Sequence, residues 1–481
     1  MIFSDFSGGL SDSKWRGVKS SFFKLVGLSI HDTPGTLVVN QKLTKQSGSV
    51  ITAFCRVAVS VSTGDKIWFS YTDGKIWRED VNHTFTLVYT TAPAAGTAGC
   101  LGAKQFRGFL YWATQSRLHR IPATLAAMTT AANWTANAVP DWATFGITDT
   151  EFHPMIIVLS NKLYIGDGNR VAYVDNTDAF NTANALDINA PNRIKCMSSF
   201  NTDVILGTIT AQSVNLCQVI RWDTAITPAA ATYIEPVEEN GVNCFLRSGE
   251  YLLAQCGTSG NWYVYNGQTL LPYKRIPGTW TPTQFGEVYP DSVGQFKGIP
   301  VFGFSNSPAA ENTTGNPADQ GIYTFGRYSN DYSRVMNGPE YIISQDDVTN
   351  VEIGAILVEG NNMYVAWKEG SNYGVDFVDY TAKYASAYLE TMVMNLDPEF
   401  LSTLQKVFAD YVSLPASTSL TLSYKKNHDA AYTALTSVDE TNNFQVYSEE
   451  NISGRAFQIK VAFGVSSNNA PQIEAIGVNA I

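Results

Sequence analysis

The stretch GDKIWFSYTDGKIWRED, at Gly64–Asp80, contains two apolar segments rich in aromatic residues around a tight polar turn. The same pattern occurs seven times, with turns roughly 42 to 55 residues apart, which is typical of propeller blades. The other copies are FRGFLYWATQSRLHRI (Phe106–Ile121), NKLYIGDGNRVAYVD (Asn161–Asp175), TDVILGTITAQSVNLCQVIRWD (Thr202–Asp223), EYLLAQCGTSGNWYVYNG (Glu250–Gly267), GIPVFGF…GIYTFGR (298–327, split by a polar insertion) and NNMYVAWKEGSNYGVDFVD (Asn361–Asp379). A single hairpin cannot bury its own apolar face, so each copy needs neighbours on both sides. A closed ring removes the exposed sheet edges, and we therefore predict an all-β protein with a β-propeller of about seven blades.

The segments that flank the repeats follow other patterns. Residues 1–50 scatter aromatic side chains among Gly and Ser without helical or strand periodicity, which predicts an extended N-terminal arm. The repeats place the propeller at residues 51–380. Beyond it, SLTLSYKKNHDAAYTAL and RAFQIKVAFG alternate apolar with polar residues, and KKNHDAAY has the composition of a hairpin turn. Several short strands with one apolar face predict a C-terminal β-sandwich over residues 381–481.

Composition and charge exclude several classes of function. The chain has 481 residues, of which 44% are hydrophobic and 16% charged, with a formal net charge of −11. Because no run of Lys and Arg occurs, we expect no ordinary nucleic-acid binding. The charge is that of an acidic soluble protein, and an acidic wall that repels DNA is the alternative interpretation. The sequence has no 18-residue apolar stretch and does not start like a signal peptide, so we expect no membrane insertion and synthesis in the cytoplasm.

The cysteines and the oxygen-rich turns do not have metal-ligand spacing. Six cysteines are scattered through the repeats, and several lie in apolar strand patterns where buried free thiols are expected, with a disulfide framework as the alternative. Asp167, Asn169 and Asp175 could hold Ca²⁺ weakly, but a Gly-rich hairpin turn explains them better. We therefore predict no metal site and no cofactor.

The candidate catalytic acids are also explained by turns and loops. Ser70–Trp77 resembles the Asp box of sialidase propellers, but its Asp-Gly pair is explained by a two-residue turn, and the motif does not recur. Two acidic pairs, Asp346 with Asp347 and Glu238 with Glu239, are adjacent in sequence, so their side chains would point to opposite faces of a strand. His153 lies near no nucleophile motif. We therefore predict that the protein has no catalytic residues and is not an enzyme.

The order of segments resembles a family of virion proteins. The start FSGGLSDSKW, the aromatic hairpin repeats and the ending RAFQIKVAF…PQIEAIGVNAI are similar to tail-nozzle or tail-hub proteins of tailed bacteriophages, including the packaged-DNA stabilisation type. The resemblance implies a structural subunit of a homo-oligomeric ring, sixfold in symmetry, that extends the DNA channel and retains the packaged genome until ejection. It also implies contacts with tail adaptor and fibre or needle proteins, passage of DNA without specific binding, and a location in the virion tail. The alternative is a propeller on the particle that binds or cleaves carbohydrate as a receptor reader.

Exposed-looking aromatic residues are the candidate subunit contacts. They are Phe3, Phe6, Trp15, Phe22 and Phe23 in the predicted arm, together with Trp134 and Trp142 in an Ala/Thr-rich connector. Aromatic side chains are enriched in interfaces because they bury a large area. The two connector tryptophans could equally stack on sugars.

Overall fold

The computed structural model describes most of the chain. It covers residues 2–4, 6, 8–15, 20–33, 35–46, 51–90, 99–115, 117–135, 139, 149–158, 162–210, 216–226, 230–276, 286–306, 320–326, 335–345, 351–395, 401–427 and 429–481. Within these residues the fold is all-β, with a seven-bladed β-propeller and only two short helices.

Six strands precede the first complete hairpin of the propeller. They are β1 (Ile2–Phe3), β2 (Gly9–Leu10), β3 (Ser21–Val26), β4 (Leu28–Ser29), β5 (Leu37–Val39) and β6 (Gln41–Lys45).

The first three blades follow in chain order. Blade 1 contains β7 (Cys55–Ser60), β8 (Lys66–Ser70), β9 (Lys75–Glu79) and β10 (Phe85–Thr90); blade 2 contains β11 (Gly102–Phe106), β12 (Phe109–Ala113) and β13 (Leu118–Pro122). Blade 3 contains β14 (Met155–Val158), β15 (Lys162–Asp167), β16 (Arg170–Val174) and β17 (Phe180–Asp187). Blade 2 has three strands in the described residues, and the short helices α1 (Leu125–Thr129) and α2 (Ala131–Thr135) follow its last strand.

The remaining four blades repeat the antiparallel pattern. Blade 4 contains β18 (Arg193–Phe200), β19 (Asp203–Ile209), β20 (Cys217–Trp222) and β21 (Tyr233–Val237); blade 5 contains β22 (Val242–Ser248), β23 (Tyr251–Cys256), β24 (Asn261–Tyr265) and β25 (Leu270–Arg275). Blade 6 contains β26 (Gly286–Glu287), β27 (Val293–Phe296), β28 (Ile299–Asn306), β29 (Gly321–Gly326) and β30 (Val335–Tyr341). Blade 7 contains β31 (Val351–Glu359), β32 (Asn362–Glu369) and β33 (Asn372–Lys383), and β6 is its outermost strand.

The ring of blades is closed in two ways. The innermost strand of each blade contacts the innermost strand of the next, and β31 of blade 7 contacts β7 of blade 1. In addition, β6 pairs with β33, so that Leu43 lies opposite Val378. The predicted boundary at residue 50 therefore separates β6 from the blade that it completes. A strand from one end of the chain sealing the last blade leaves no open sheet edge at the closure.

The seven repeats identified in the sequence are confirmed as blades. Each quoted repeat supplies the second and third strands of one blade, as β8 and β9 do for Gly64–Asp80. These strands are largely buried on both faces, because their apolar and aromatic side chains fill the space between neighbouring blades. Trp68, Trp112, Trp222 and Trp367 are all fully buried there.

The two ends of the chain share two further sheets. The C-terminal strands are β34 (Tyr388–Thr391), β35 (Met394–Asn395), β36 (Ser402–Ser413), β37 (Ser419–Lys426), β38 (Thr433–Ala434), β39 (Val438–Glu440), β40 (Gln445–Gly454), β41 (Ala456–Gly464) and β42 (Gln472–Ala480). One sheet has the order β39-β40-β36-β42-β5-β4 with β1 beside β42; the other has the order β2-β3-β34-β41-β37-β38 with β35 beside β41. We call these the terminal sheets. Their apolar side chains belong to one hydrophobic cluster.

The N-terminal segment differs from the predicted extended arm. Strand β3 pairs with β34, with Leu25 opposite Leu389, and β5 pairs with β42. Phe6, Phe22 and Leu25 are buried in the core of the terminal sheets. The expectation failed because the strands that pair with β3 and β5 lie about 360 to 440 residues further along the chain, so no local periodicity is required.

The terminal sheets pack on the rim of blade 6. Strands β2, β3 and β4 contact β30, and one hydrophobic cluster joins the terminal sheets to the side chains of blades 5 and 6. At this junction the buried His31 places Nε2 3.4 Å from Oε1 of Glu340, and Nδ2 of Asn40 donates to the carbonyl of Glu340 at 3.1 Å. Within the described residues, no helix is long and apolar enough to cross a membrane.

Candidate functional site: the propeller channel

The central channel contains a cavity to which all seven blades contribute. Its volume is about 340 Å³, within the range of small-molecule sites. Its walls come from the innermost strands or the residues just before them in all seven blades, and the lining residues that carry charge are Arg56, Lys104, Glu151, Lys195 and Asp291. Because the seven innermost strands occupy equivalent places in their blades, residues far apart in sequence meet here.

Arg56 is held in the channel by two aromatic rings. Its guanidinium carbon lies 4.1 Å from the ring centroid of Tyr71 and 4.1 Å from that of Tyr289. Arg56 lies on β7, where Val57 and Val59 pack against side chains of blade 2, and its side chain lines the cavity. A guanidinium held by cation–π contacts can still donate hydrogen bonds through its N–H groups.

Tyr289 is itself held by a hydrogen bond to the Glu352–Lys368 ion pair. Tyr289 donates its hydroxyl to Oε2 of Glu352 at 2.7 Å, and Nζ of Lys368 lies 2.7 Å from Oε1 of the same carboxylate. Burial raises the pKa of Tyr289 well above its usual range, and the neighbouring carboxylates raise it further although Arg56 opposes them. The phenol therefore remains neutral and continues to donate, which keeps the stacking surface for Arg56 in place.

Lys195 has partners on two blades. Its Nζ donates to Oδ1 of Asn243 at 2.7 Å and lies 3.3 Å from Oε2 of Glu287. Burial by itself would raise the pKa of Glu287, but Lys195 and Arg56 outweigh burial and hold that pKa below its usual value. Glu287 is therefore ionised, and its charge is compensated by Lys195 within the structure.

Asp291 is the least compensated acid of the channel. Burial raises its pKa to about 6, against the opposing effect of Lys104 and Arg56. Both cations act on this one carboxyl group, so the three charges lie on the same stretch of the channel. In the described part of the chain, no hydrogen bond or ion pair joins the side chain of Arg56 or of the exposed Lys104 to a carboxylate.

The described candidate acids from the sequence have structural partners in turns, side-chain hydrogen bonds or ion pairs. Asp73 accepts from the backbone N–H of Lys75 at 3.2 Å, as expected of a turn residue. Glu239 accepts from Nδ2 of Asn261 at 2.9 Å, and Asp167 lies 2.7 Å from Nη2 of Arg170. Asp346 and Asp347 lie outside the described residues.

The structure describes no metal-ligating cluster beside these residues. Among the residues that the structure describes, no group of three or more His, Cys, Asp or Glu could hold a metal ion. His153 is fully buried, with Nδ1 3.1 Å from the carbonyl of Gly166, and burial lowers its pKa. Its environment is that of a structural histidine between blades.

Most of the predicted interface aromatics lie in the core. Phe6, Phe22, Phe23 and Trp134 are buried. Trp134 donates its Nε1 to the carbonyl of Met128 at 3.0 Å and packs on Trp112. These four side chains are therefore unavailable to a second subunit in this structure.

The other three candidates differ from one another. Trp15 is 43% exposed, and Phe3 is partly buried beside the terminal sheets. Trp142 lies outside the described residues. Composition alone could not separate exposed from buried aromatics, because strands and irregular segments both bury them.

The six cysteines are all free and buried. Burial raises the pKa of Cys217 to about 12 and raises that of Cys55, Cys196 and Cys256 well above the usual value. These thiols are therefore protonated and behave as small apolar side chains.

Sequence reasoning did not identify the channel cluster. The only local signal is the alternation in CRVAVS (55–60), where Arg56 interrupts an apolar strand just before the first repeat. Lys104, Lys195 and Asp291 precede or begin other repeats, and their meeting depends on closure of the ring.

Comparisons with known proteins concern the arrangement of strands. No family model matches the chain, and no curated protein matches it. Solved structures with a similar fold include the extracellular domain of a hybrid two-component system of B. thetaiotaomicron, with 11% identity and a TM-score of 0.45. The similarity covers 76% of this chain and 43% of that domain. A catalytically inactive virginiamycin B lyase from Staphylococcus aureus, solved with quinupristin, has 10% identity and a TM-score of 0.46 over 70% of this chain and 99% of the lyase. A chain of the mitotic checkpoint complex has 9% identity and a TM-score of 0.45 over 70% of this chain and 93% of that one. At these values no substrate or partner is carried over to this protein.

Proposed function

We propose that this protein is a non-enzymatic structural subunit of a tailed-phage virion, part of a sixfold nozzle or hub ring at the end of the tail. The ring extends the DNA channel and helps to retain the packaged genome, and it contacts tail adaptor and fibre or needle proteins. The subunit is made in the host cytoplasm and joins the particle there. DNA passes without specific binding, since the chain carries a net charge of −11.

The observation that carries this proposal is the continuity between the terminal sheets and the propeller. We interpret the terminal sheets as a β-sandwich built from both ends of the chain. Its core side chains, such as Leu25 and Phe457, share one hydrophobic cluster with Trp262 and Phe302 of the propeller. A single apolar core across both parts makes a stiff body, and stiffness is what a mechanical ring component requires.

The proposed ring contact includes the exposed part of the N-terminal segment. Trp15 is 43% exposed and Ile2 is 60% exposed, whereas Phe6, Phe22 and Phe23 are buried. An exposed tryptophan beside a rigid sheet is a suitable anchor for a second subunit.

The test is the mass and shape of the purified full-length chain. Mass photometry and electron microscopy are expected to show closed rings of six 52.6-kDa subunits. The variant Trp15→Ala should reduce the ring fraction, whereas Leu271→Ala, which removes a side chain 57% exposed on blade 5, should leave it unchanged. A wild-type chain that stays monomeric at every concentration contradicts the proposed function, and rings that persist in Trp15→Ala contradict the assigned contact.

A further inference from the structure

Two cationic side chains of the propeller channel, Arg56 and Lys104, donate no hydrogen bond to a carboxylate among the described residues. The guanidinium carbon of Arg56 lies 4.1 Å from the ring centroids of both Tyr71 and Tyr289, and among the described residues no carboxylate accepts from its N–H groups. Lys104 is exposed and lines the same cavity. Lys195, by contrast, forms an ion pair with Glu287 and donates a hydrogen bond to Asn243. A guanidinium that is already held between two aromatic contacts loses little entropy when it forms the two parallel hydrogen bonds that a carboxylate or phosphate offers.

The same stretch of channel also provides an acceptor. Asp291 lines the cavity and lies close enough to Lys104 and Arg56 to feel both charges. Phe152 and Met155 add apolar surface to the wall. An oxyanion at the cations would therefore place adjacent hydroxyl or ammonium donors near the Asp291 carboxylate.

We propose that the propeller channel is a binding site for a small molecule that carries a carboxylate or a phosphate together with neighbouring hydroxyl or amine donors. The oxyanion binds to Arg56 and Lys104, and Asp291 accepts from the donors beside it. The cavity of 340 Å³ limits the ligand to a small molecule. This site is independent of the proposed ring and would exist in a single subunit.

The test is calorimetric titration of the full-length chain at pH 7.5 and low ionic strength. Glucuronate provides the carboxylate, glucose 6-phosphate the phosphate, and glucose the neutral control with the same donors. We expect at least one of the two anions to bind and glucose not to bind. Binding of glucuronate alone assigns the site to carboxylates, and binding of glucose 6-phosphate alone assigns it to phosphates.

Matched variants locate the site. Arg56→Gln and Lys104→Ala should each weaken binding of the anion by about tenfold or more, because each removes a charge-assisted hydrogen bond. Arg455→Gln and Lys42→Ala, which remove exposed charges outside the channel lining, should bind like the wild type. Near-ultraviolet circular dichroism checks that folding is unchanged, and Lys104 is an exposed side chain whose removal leaves the core intact.

Three outcomes overturn the proposal: neither anion binds, glucose binds as well as the anions, or both channel variants bind like the wild type. Mass photometry on the same samples measures assembly separately. Rings without ligand binding would therefore refute the binding site and leave the proposed structural function unchanged. Ligand binding without rings would support the binding site and contradict the proposed structural function.

Discussion

Gly354 of blade 7 packs directly against the backbone of Cys55 in blade 1, where the ring of blades closes. A Cβ atom at position 354 would lie 2.1 Å from the carbonyl oxygen of Cys55, closer than any side chain can approach a backbone atom. Both residues belong to innermost strands, β31 and β7, which contact one another across the last junction of the propeller. The distance between the first and last blades is therefore set by the absence of a side chain.

Gly354→Ala is expected to destabilise the protein by about 3 kcal/mol, because an inserted methyl group must displace backbone on both blades. Gly108→Ala is the control, since a Cβ there meets nothing within 4 Å. Urea unfolding of the two variants measures the difference. Equal stabilities for both would show that blades 7 and 1 do not pack as described.

Phe22→Ala is expected to cost about 4 kcal/mol of unfolding free energy, because a large buried side chain leaves a cavity in the terminal sheets. Trp15→Ala, seven residues earlier, should change stability by less than about 0.5 kcal/mol because Trp15 is exposed. Chemical denaturation with fluorescence detection distinguishes the two. A tolerated Phe22→Ala would restore the extended arm that the sequence predicted.

The raised pKa of Asp291 predicts that the free energy of unfolding depends on pH. Its folded pKa of about 6 lies above the unfolded value, so its contribution is fully present below the unfolded pKa and is lost as the pH rises through 6. Asp291→Asn removes that loss and should be about 2 kcal/mol more stable than the wild type at pH 7.5, after allowance for partial exposure. The difference should shrink to about 0.5 kcal/mol at pH 4.

Denaturation at the two pH values measures this difference directly. A variant less stable than the wild type at pH 7.5 would mean that Asp291 is paired with a cation more strongly than its surroundings indicate. Lys104→Ala offers an independent check, since its removal takes away one of the charges that lower this pKa and should increase the gain from Asp291→Asn.

The thiols should react only after unfolding. All six cysteines are free and buried, and burial raises the pKa of Cys217 to about 12, so the reactive thiolate is scarce in the folded protein. Ellman's reagent without reductant is expected to titrate six thiols in guanidinium chloride and almost none under native conditions. Fewer than six in the denatured protein would indicate a disulfide and contradict the structure.

Local patterns accounted for the blades but not for their innermost strands. The repeats were visible because strands two and three are joined by short turns and carry large aromatic side chains, as in IWFSYTDGKIW at 67–77. The innermost strands are separated from these hairpins by longer connections and carry a mixture of small, charged and apolar residues. Arg56 and Asp291 lie on this part of the structure, so the candidate site escaped the sequence analysis.

The amino-acid sequence by itself determined the all-β class and a propeller of about seven blades, because the strands and turn of each aromatic hairpin lie close together along the chain. Tertiary structure decided which strand closes the ring, where the N-terminal aromatics are buried and which charges meet in the channel. Leu43 pairs with Val378, and Arg56 contacts Tyr289, although more than two hundred residues separate the members of each pair. Contacts of that kind follow from closure of the ring, which no local pattern of side chains encodes.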